Sequence, residues 1–285
     1  MNSAFNDTFT LITGASEGLG KALAIECASK GMNVFLVALP GIELYQLASY
    51  IRRKYKVLVC EFETDLSLEM NRITLAGFIK KQQININMLI NNAGIGGSVN
   101  FDECAFDFFK TQISLNVLAT VHLTYLLLPE LKKNSRSYIL NVSSLCIFFY
   151  LVKKQVYGAT KSFIHFFSKS LKKELKKDGV TVSVLCPGGM NSNPSFYLLH
   201  QMSNWMTRSA AMDPEEVAPV ALNGLINGKE IIIPGKWNRV FLFFDKLLPG
   251  WLKEKMTARH IKSISAQQIA LLLKGKPIAE TKNAA

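Results

Sequence analysis

The sequence predicts an α/β fold in which a parallel, doubly wound sheet is covered by helices on both faces. Three observations carry this. Short β-branched runs alternate with longer segments of helical periodicity along most of the chain. The strand candidates read as nearly continuous apolar runs, Leu36-Val37 and Met88-Leu89-Ile90 among them, as strands buried on both faces should. The first strand runs straight into a glycine-rich turn, and a helix follows. Strands separated by helices imply βαβ units with right-handed crossovers.

Seven strands are expected, over residues 9–13, 33–38, 57–63, 87–91, 137–142, 180–186 and 230–233. Helical patterns occupy 18–30, 41–54, 67–82, 103–133, 157–177 and 213–227. No repeat or low-complexity linker interrupts them. This gives one domain over 5–235 and a helical C-terminal extension over 236–285, frayed from about Gly275. The extension mixes Phe, Leu and Trp with Lys and Arg. It is expected to pack on the core or pair subunits, with contact to a membrane surface as the alternative.

Composition narrows the class. The chain has 285 residues, 49% of them hydrophobic, enough for a substantial single core. Charged residues make up only 19%, so this is no disordered composition. The net charge of +12 suits a phosphate-rich cofactor, and anionic lipid or nucleic acid could also use it. Solvated helix faces account for the densest cluster, Lys172, Lys173, Lys176 and Lys177, and no nucleic-acid motif accompanies it. The five cysteines are scattered without a CxxC pair, which points to free thiols in a reducing cytoplasm. The four histidines lack ligand spacing, so no metal site is expected. Met1 to Asp7 does not read as a signal peptide. The apolar stretches read as interrupted before the roughly 18 residues a spanning helix needs. A cytoplasmic protein is expected, attached at most to a membrane surface.

The turn after the first strand is Thr13-Gly14-Ala15-Ser16-Glu17-Gly18-Leu19-Gly20. Gly14 permits the tight bend, Gly18 lets backbone approach a pyrophosphate, and Gly20 lets the helix pack closely on the strand. The helix start offers free N–H groups and the positive dipole end to phosphates. Ser16, Glu17 and Leu19 count with the glycines as cofactor contacts.

The spacing GxxxGxG resembles the short-chain dehydrogenase/reductase family, whose domain is a Rossmann fold. Further motifs follow in family order. Asn91-Asn92-Ala93-Gly94 ends the fourth strand, Asp65-Leu66 follows the third, and Asn116 lies in a long helix. Tyr157-Gly158-Ala159-Thr160-Lys161 matches YxxxK, Ser144 lies thirteen residues before Tyr157, and Pro187-Gly188 follows the sixth strand. The segments at 214–218 and 228–235 resemble a bacterial subgroup of short-chain reductases. The resemblance implies cofactor contacts from Asp65, Leu66, Asn92, Ala93, Gly94, Pro187, Gly188 and, in place of the usual threonine, Ser192. It implies a catalytic set of Asn116, Ser144, Tyr157 and Lys161, in which Lys161 also holds the nicotinamide ribose and Asn116 anchors a water. A homodimer or homotetramer is implied as well.

The chemistry of the set can be argued directly. Tyr157 and Lys161 are four apart on a helix and share a face. A phenol titrates near pKa ~10, and an adjacent ammonium is expected to lower it towards the range useful for acid–base catalysis. Ser144 is placed to donate to the same substrate oxygen. Ser143 and Tyr150 are decoys: Ser143 should face the other side of the strand end, and Tyr150 has no lysine four residues on.

The second strand ends Val37-Ala38-Leu39-Pro40 without the carboxylate that would bond a ribose 2′-OH. NADP(H) is therefore favoured over NAD(H), although no arginine stands at 39 and Glu17 adds an acid. Ala38 is the expected contact at this lip. The run from Ile147 to Val152 suggests a hydrophobic substrate wall or a buried subunit contact, and the greasy stretch from Phe196 to Met206 a substrate lid or ordinary helix packing, so a hydrophobic carbonyl or alcohol substrate is expected. Two other functions remain as alternatives: a non-catalytic dinucleotide-binding redox sensor and a membrane-surface interaction protein.

Overall fold

The computed structural model describes residues 8–148, 151–191 and 205–247. A seven-stranded sheet runs in the order β3-β2-β1-β4-β5-β6-β7, and all its pairings are parallel. The strands are β1 Phe9–Thr13, β2 Asn33–Ala38, β3 Val59–Glu63, β4 Ile86–Asn91, β5 Ser137–Val142, β6 Val180–Leu185 and β7 Ile231–Ile232. This is the doubly wound Rossmann order expected from the sequence. It reverses between β1 and β4, and in open α/β sheets ligands bind beyond the strands' C-terminal ends at such a switch.

Helices α1 Gly18–Ser29 and α2 Ile42–Tyr55 cover one face together with α8 Pro214–Ile226. Leu23, Cys27, Leu44, Ile51, Ala221 and Leu225 meet Ile12, Leu36, Ile90 and Leu140 there. Helices α3 Glu69–Lys81, α5 Thr120–Lys132 and α6 Gln155–Leu175 cover the other. There Leu75, Ile79, Leu123, Leu127 and Leu175 meet Leu11, Phe35, Leu89 and Ile139. Neighbouring strand residues go to opposite clusters because strand side chains alternate.

Helix α4 Phe106–Ile113 continues through a π-helical turn, Ser114–Ala119, into α5. The whole helix Phe106–Lys132 is long and apolar enough by length and composition to cross a membrane. This corrects the reading of interrupted apolar stretches. Its apolar residues have another use here, since Ala119, Leu123, Leu127 and Leu131 are buried against the sheet.

Some boundaries moved for identifiable reasons. Leu58 is largely exposed and gives its N–H to Asn33 Oδ1, so β3 starts only at Val59. Helix α6 begins two residues before Tyr157, at Gln155. A short helix α7, Trp205–Ala210, follows the β6 loop, and α9, Lys236–Leu247, opens the C-terminal extension. In α9, Asn238 is buried and donates to Pro234 O at 2.9 Å and Ala210 O at 3.2 Å, while Leu242 is buried too.

Gly20 shows how tightly the first crossover is built. A Cβ there would lie 2.0 Å from Gly14 O and 2.6 Å from Asn92 Nδ2. Gly77, exposed within α3, would meet nothing within 4 Å. Gly20→Ala is therefore expected to cost roughly 1–3 kcal/mol and lower Tm by several degrees. Gly77→Ala is expected to stabilise by about 0.5–1 kcal/mol. Calorimetry of the two variants beside the parent checks both signs.

Candidate active site

The ends of β1 and β4 are clasped by Thr13. Its Oγ1 accepts the backbone N–H groups of Asn92 and Ala93, both at 2.9 Å, and its hydroxyl points to Ile90 O. Asn92 Nδ2 returns bonds to Thr13 O at 2.9 Å and Gly14 O at 3.2 Å. The glycine turn and the NNAG turn are thus one unit. Gly14 and Gly18 have φ of +64° and +50°, and a Cβ on Gly14 would press on Ala93 backbone. No side chain caps the start of α1. Its free donors face a cleft of about 370 Å³ at the switch point.

The cleft gathers most of the residues expected from the sequence. Gly14, Ser16, Glu17, Gly18 and Leu19 form one wall, with Ala38, Asp65 and Leu66 at the lip. Asn92, Ala93, Gly94, Pro187 and Gly188 form the floor and far wall. Ser144, Tyr157 and Lys161 close the end. Such a cradle of glycines, free N–H groups and an open trough fits a dinucleotide's pyrophosphate and two ribosides. Gly20 lies behind the wall rather than on it. Ser192, Tyr150, Phe149, the stretch 196–204 and the extension beyond 247 lie outside the described residues. Trp205 and Met206 belong to α7, and a substrate lid over this end is not among the described features.

Asn116 sits at the centre of the π-helical turn, a distortion found frequently at functional sites. It does not line the cleft but braces it. Its Oδ1 accepts Ile95 N–H at 2.9 Å, and its Nδ2 donates to Ile95 O at 3.0 Å and Thr160 Oγ1 at 3.1 Å. A Cβ on Gly94 would touch both Asn116 Oδ1 and Lys161 Nζ. The asparagine and the lysine therefore converge on one point of the floor.

Helix α6 is held against the sheet by a buried polar chain. Asn91 Nδ2 donates to Asn141 Oδ1 at 2.8 Å, and Asn141 Nδ2 donates to Ser168 Oγ at 2.9 Å. Ser143 Oγ donates to Lys161 O at 2.7 Å. Its hydroxyl is taken up by the helix backbone, as befits a decoy, though the residue also borders the cleft. Ser144 Oγ accepts Cys146 N–H at 3.2 Å and interacts with Tyr157.

The electrostatics differ from the sequence expectation in one respect. Burial pushes the Tyr157 phenol up to about 12; Cys146 adds to this and a hydrogen bond with Ser144 opposes it. Lys161 does not overcome this. Its Nζ donates to Val142 O at 2.9 Å and stands 5.8 Å from the phenol ring centroid. Burial brings the Lys161 ammonium itself down to about 8, against smaller opposing effects of Cys146 and Cys186. Desolvation disfavours both charged forms and is the largest influence on each.

Residues not singled out from the motifs also shape the site. Thr13 was legible only as the residue before the first glycine. Thr160, inside YxxxK, links Asn116 to α6. A Cβ on Gly188 would meet Asn238 at 2.8 Å, so the extension supports the far wall. At the lip, Glu63 accepts Gly41 N–H at 2.8 Å and the Tyr45 hydroxyl at 2.9 Å. All five cysteines are free thiols, and no metal-binding cluster of acids, Cys and His occurs among the described residues.

Comparison with known proteins agrees with this geometry. A very-long-chain 3-oxoacyl-CoA reductase from Bos taurus is 32% identical over 189 residues, covering 63% of this chain and 58% of the relative. The chain thus matches little more than half the length of that curated relative. An uncharacterized oxidoreductase from Staphylococcus saprophyticus is 28% identical over 77% of this chain and 91% of its own. Among solved structures, a bulky-bulky ketone specific alcohol dehydrogenase from Comamonas testosteroni superposes with a TM-score of 0.70 at 27% identity, over 85% and 94% of the two chains. A short-chain dehydrogenase from Sphingobium yanoikuyae in complex with NADPH gives 0.73 at 25% identity over 97% and 98%. The family model described as short chain dehydrogenase matches residues 8–200, and the chain belongs to that family.

Proposed function

We propose that the protein is an NAD(P)(H)-dependent oxidoreductase interconverting a carbonyl and an alcohol on a hydrophobic substrate. The convergence of Ser144, Tyr157 and Lys161 at one end of a glycine-cradled cleft carries this reading. The redox-sensor alternative would leave that convergence without a use. Bound in the cleft, a nicotinamide supplies hydride to a carbonyl carbon or accepts it from an alcohol. Tyr157, protonated throughout the physiological range, is suited to deliver its proton to the developing alkoxide. Ser144 offers a second donor to the same oxygen. Lys161 faces Gly94 and the floor, where it can hold a ribose, and Asn116 fixes the Ile95 backbone beside it.

For the cofactor we propose NADP(H). No carboxylate stands at the end of β2, and the relative from Sphingobium yanoikuyae binds NADPH. Glu17 and Glu63 place negative charge towards the same lip, so the preference should be modest. We also propose a homodimer or homotetramer in the cytoplasm. Phe166, Tyr125, Phe163 and Leu118 on the outer helices are well exposed, and five free thiols suit a reducing compartment. The catalytic domain is assigned to 5–235, with 236–285 as its extension.

Three outcomes are expected. Tyr157→Phe should lower kcat at least ~100-fold, the scale of general acid catalysis, while NADPH still binds by fluorescence titration; full turnover in this variant would end the proposal. NADPH should exceed NADH in kcat/KM by no more than about tenfold, a difference of roughly 1.4 kcal/mol. The third concerns Lys161, whose folded-state value of about 8 lies below its ordinary 10.5. The buried charge weakens the fold below pH 8, and this penalty disappears as pH rises from about 8 to 10.5. Relative to Lys161→Met, the parent should gain roughly 2 kcal/mol in urea unfolding between pH 7 and 9.5.

A further inference from the structure

Lys154 stands outside every motif described above. It is the residue immediately before α6, in the N-cap position. Its Nζ lies 5.1 Å from the centroid of the Tyr157 ring. Among the described residues its ammonium has no carboxylate and no hydrogen-bond acceptor; the Tyr157 ring face lies against it. The side chain is half-buried, and burial lowers its pKa, with Cys146 acting in the opposite direction. Cys146 is also the residue whose N–H reaches Ser144 Oγ. Lys154 therefore stands beside the Tyr157 ring and within electrostatic reach of Cys146, outside the cleft floor that holds Lys161.

Local physics does not favour a lysine here. N-cap positions prefer Ser, Thr, Asp or Asn. The positive end of the helix dipole disfavours a cation, and the first turn of α6 holds no acid to offset it. The preceding Lys153 adopts a left-handed φ of +66°, and its carbonyl accepts Val99 N–H at 3.0 Å. The turn that presents Lys154 is thus pinned to the segment after NNAG. A partly desolvated cation without a counter-ion lacks its best stabilising partner. Where a chain breaks several local rules at one residue, function is the expected reason.

We propose that Lys154 is a specificity-determining residue, seating an anionic group, a carboxylate, carried by the substrate near its reacting carbonyl. The favoured substrate class is then an oxo acid with an apolar body rather than a neutral ketone. The ammonium is left open to a charge-assisted hydrogen bond, and an incoming carboxylate supplies the missing counter-ion. This rests on the oxidoreductase reading, and it deepens it by naming the second functional group.

The test uses a matched pair, 4-oxononanoate and methyl 4-oxononanoate, with the full chain and NADPH. The quantity read is the ratio of kcat/KM for the acid to that for the ester. Lys154→Met is expected to lower this ratio by about 10- to 100-fold, the scale of one charge-assisted hydrogen bond. Lys154→Arg should recover much of it. A ratio within about twofold of the parent's, whether both substrates slow together or neither does, overturns the proposal. Calorimetric titration with octanoate is the second arm and needs no turnover. Weaker octanoate binding to Lys154→Met than to the parent supports the seat, and equal binding refutes it. Should the parent reduce neither ketone, the oxidoreductase reading is what fails, and the octanoate arm still decides the role of Lys154.

Discussion

One hydroxyl holds the two halves of this fold in register where a ligand can bind. Thr13 Oγ1 takes two N–H groups from the NNAG turn, and Asn92 returns its side-chain amide to the glycine turn. A parallel sheet whose strand order reverses leaves a crevice at that point. The crevice becomes a shaped cleft only when the flanking turns are fixed relative to each other. The clasp does this with groups that would otherwise be buried and unsatisfied, which is costly. Gly20 completes it, because any side chain there would push the two turns apart.

Burial governs the chemistry at the other end of the cleft. The same packing that aims Tyr157 and Lys161 also strips both of water. The phenol stays protonated and the ammonium loses its proton more readily. A phenol held as an acid suits proton delivery to an alkoxide. The reverse direction, removing a proton from an alcohol, requires more charge near Tyr157 than the chain's own residues supply in this arrangement.

The sequence displayed the architecture well because the strands are continuous apolar runs with caps and glycines between them. Three strands match to the residue, and the others shift by one or two positions at their ends. The cleft-lining motifs were legible because they need particular residue types at fixed spacing. The bracing residues were less so. Thr13, Thr160 and Asn238 act through contacts with residues 28 to 80 positions away in the chain, and no local pattern announces such partners. The pKa balance was misjudged for a related reason. Helical spacing reveals that an ammonium neighbours a phenol, but not how little water reaches either.

Departures from local preference cluster around the proposed chemistry. The π-helical turn carries Asn116, the left-handed Lys153 precedes α6, and a lysine takes the N-cap. Each is unfavourable if taken alone. The surrounding sheet, with its buried Asn91–Asn141–Ser168 chain, is rigid enough to hold them. Helix α8 shows the contrast: it begins with Asp213 and Glu216 in a regular capping box. Uncapped starts recur at α3 and α4, with Leu68 and Ala105, so what sets α6 apart is the cation at the positive end of its dipole, beside the Tyr157 ring. That placement is the physical reason to regard the entrance of α6 as shaped by what it binds.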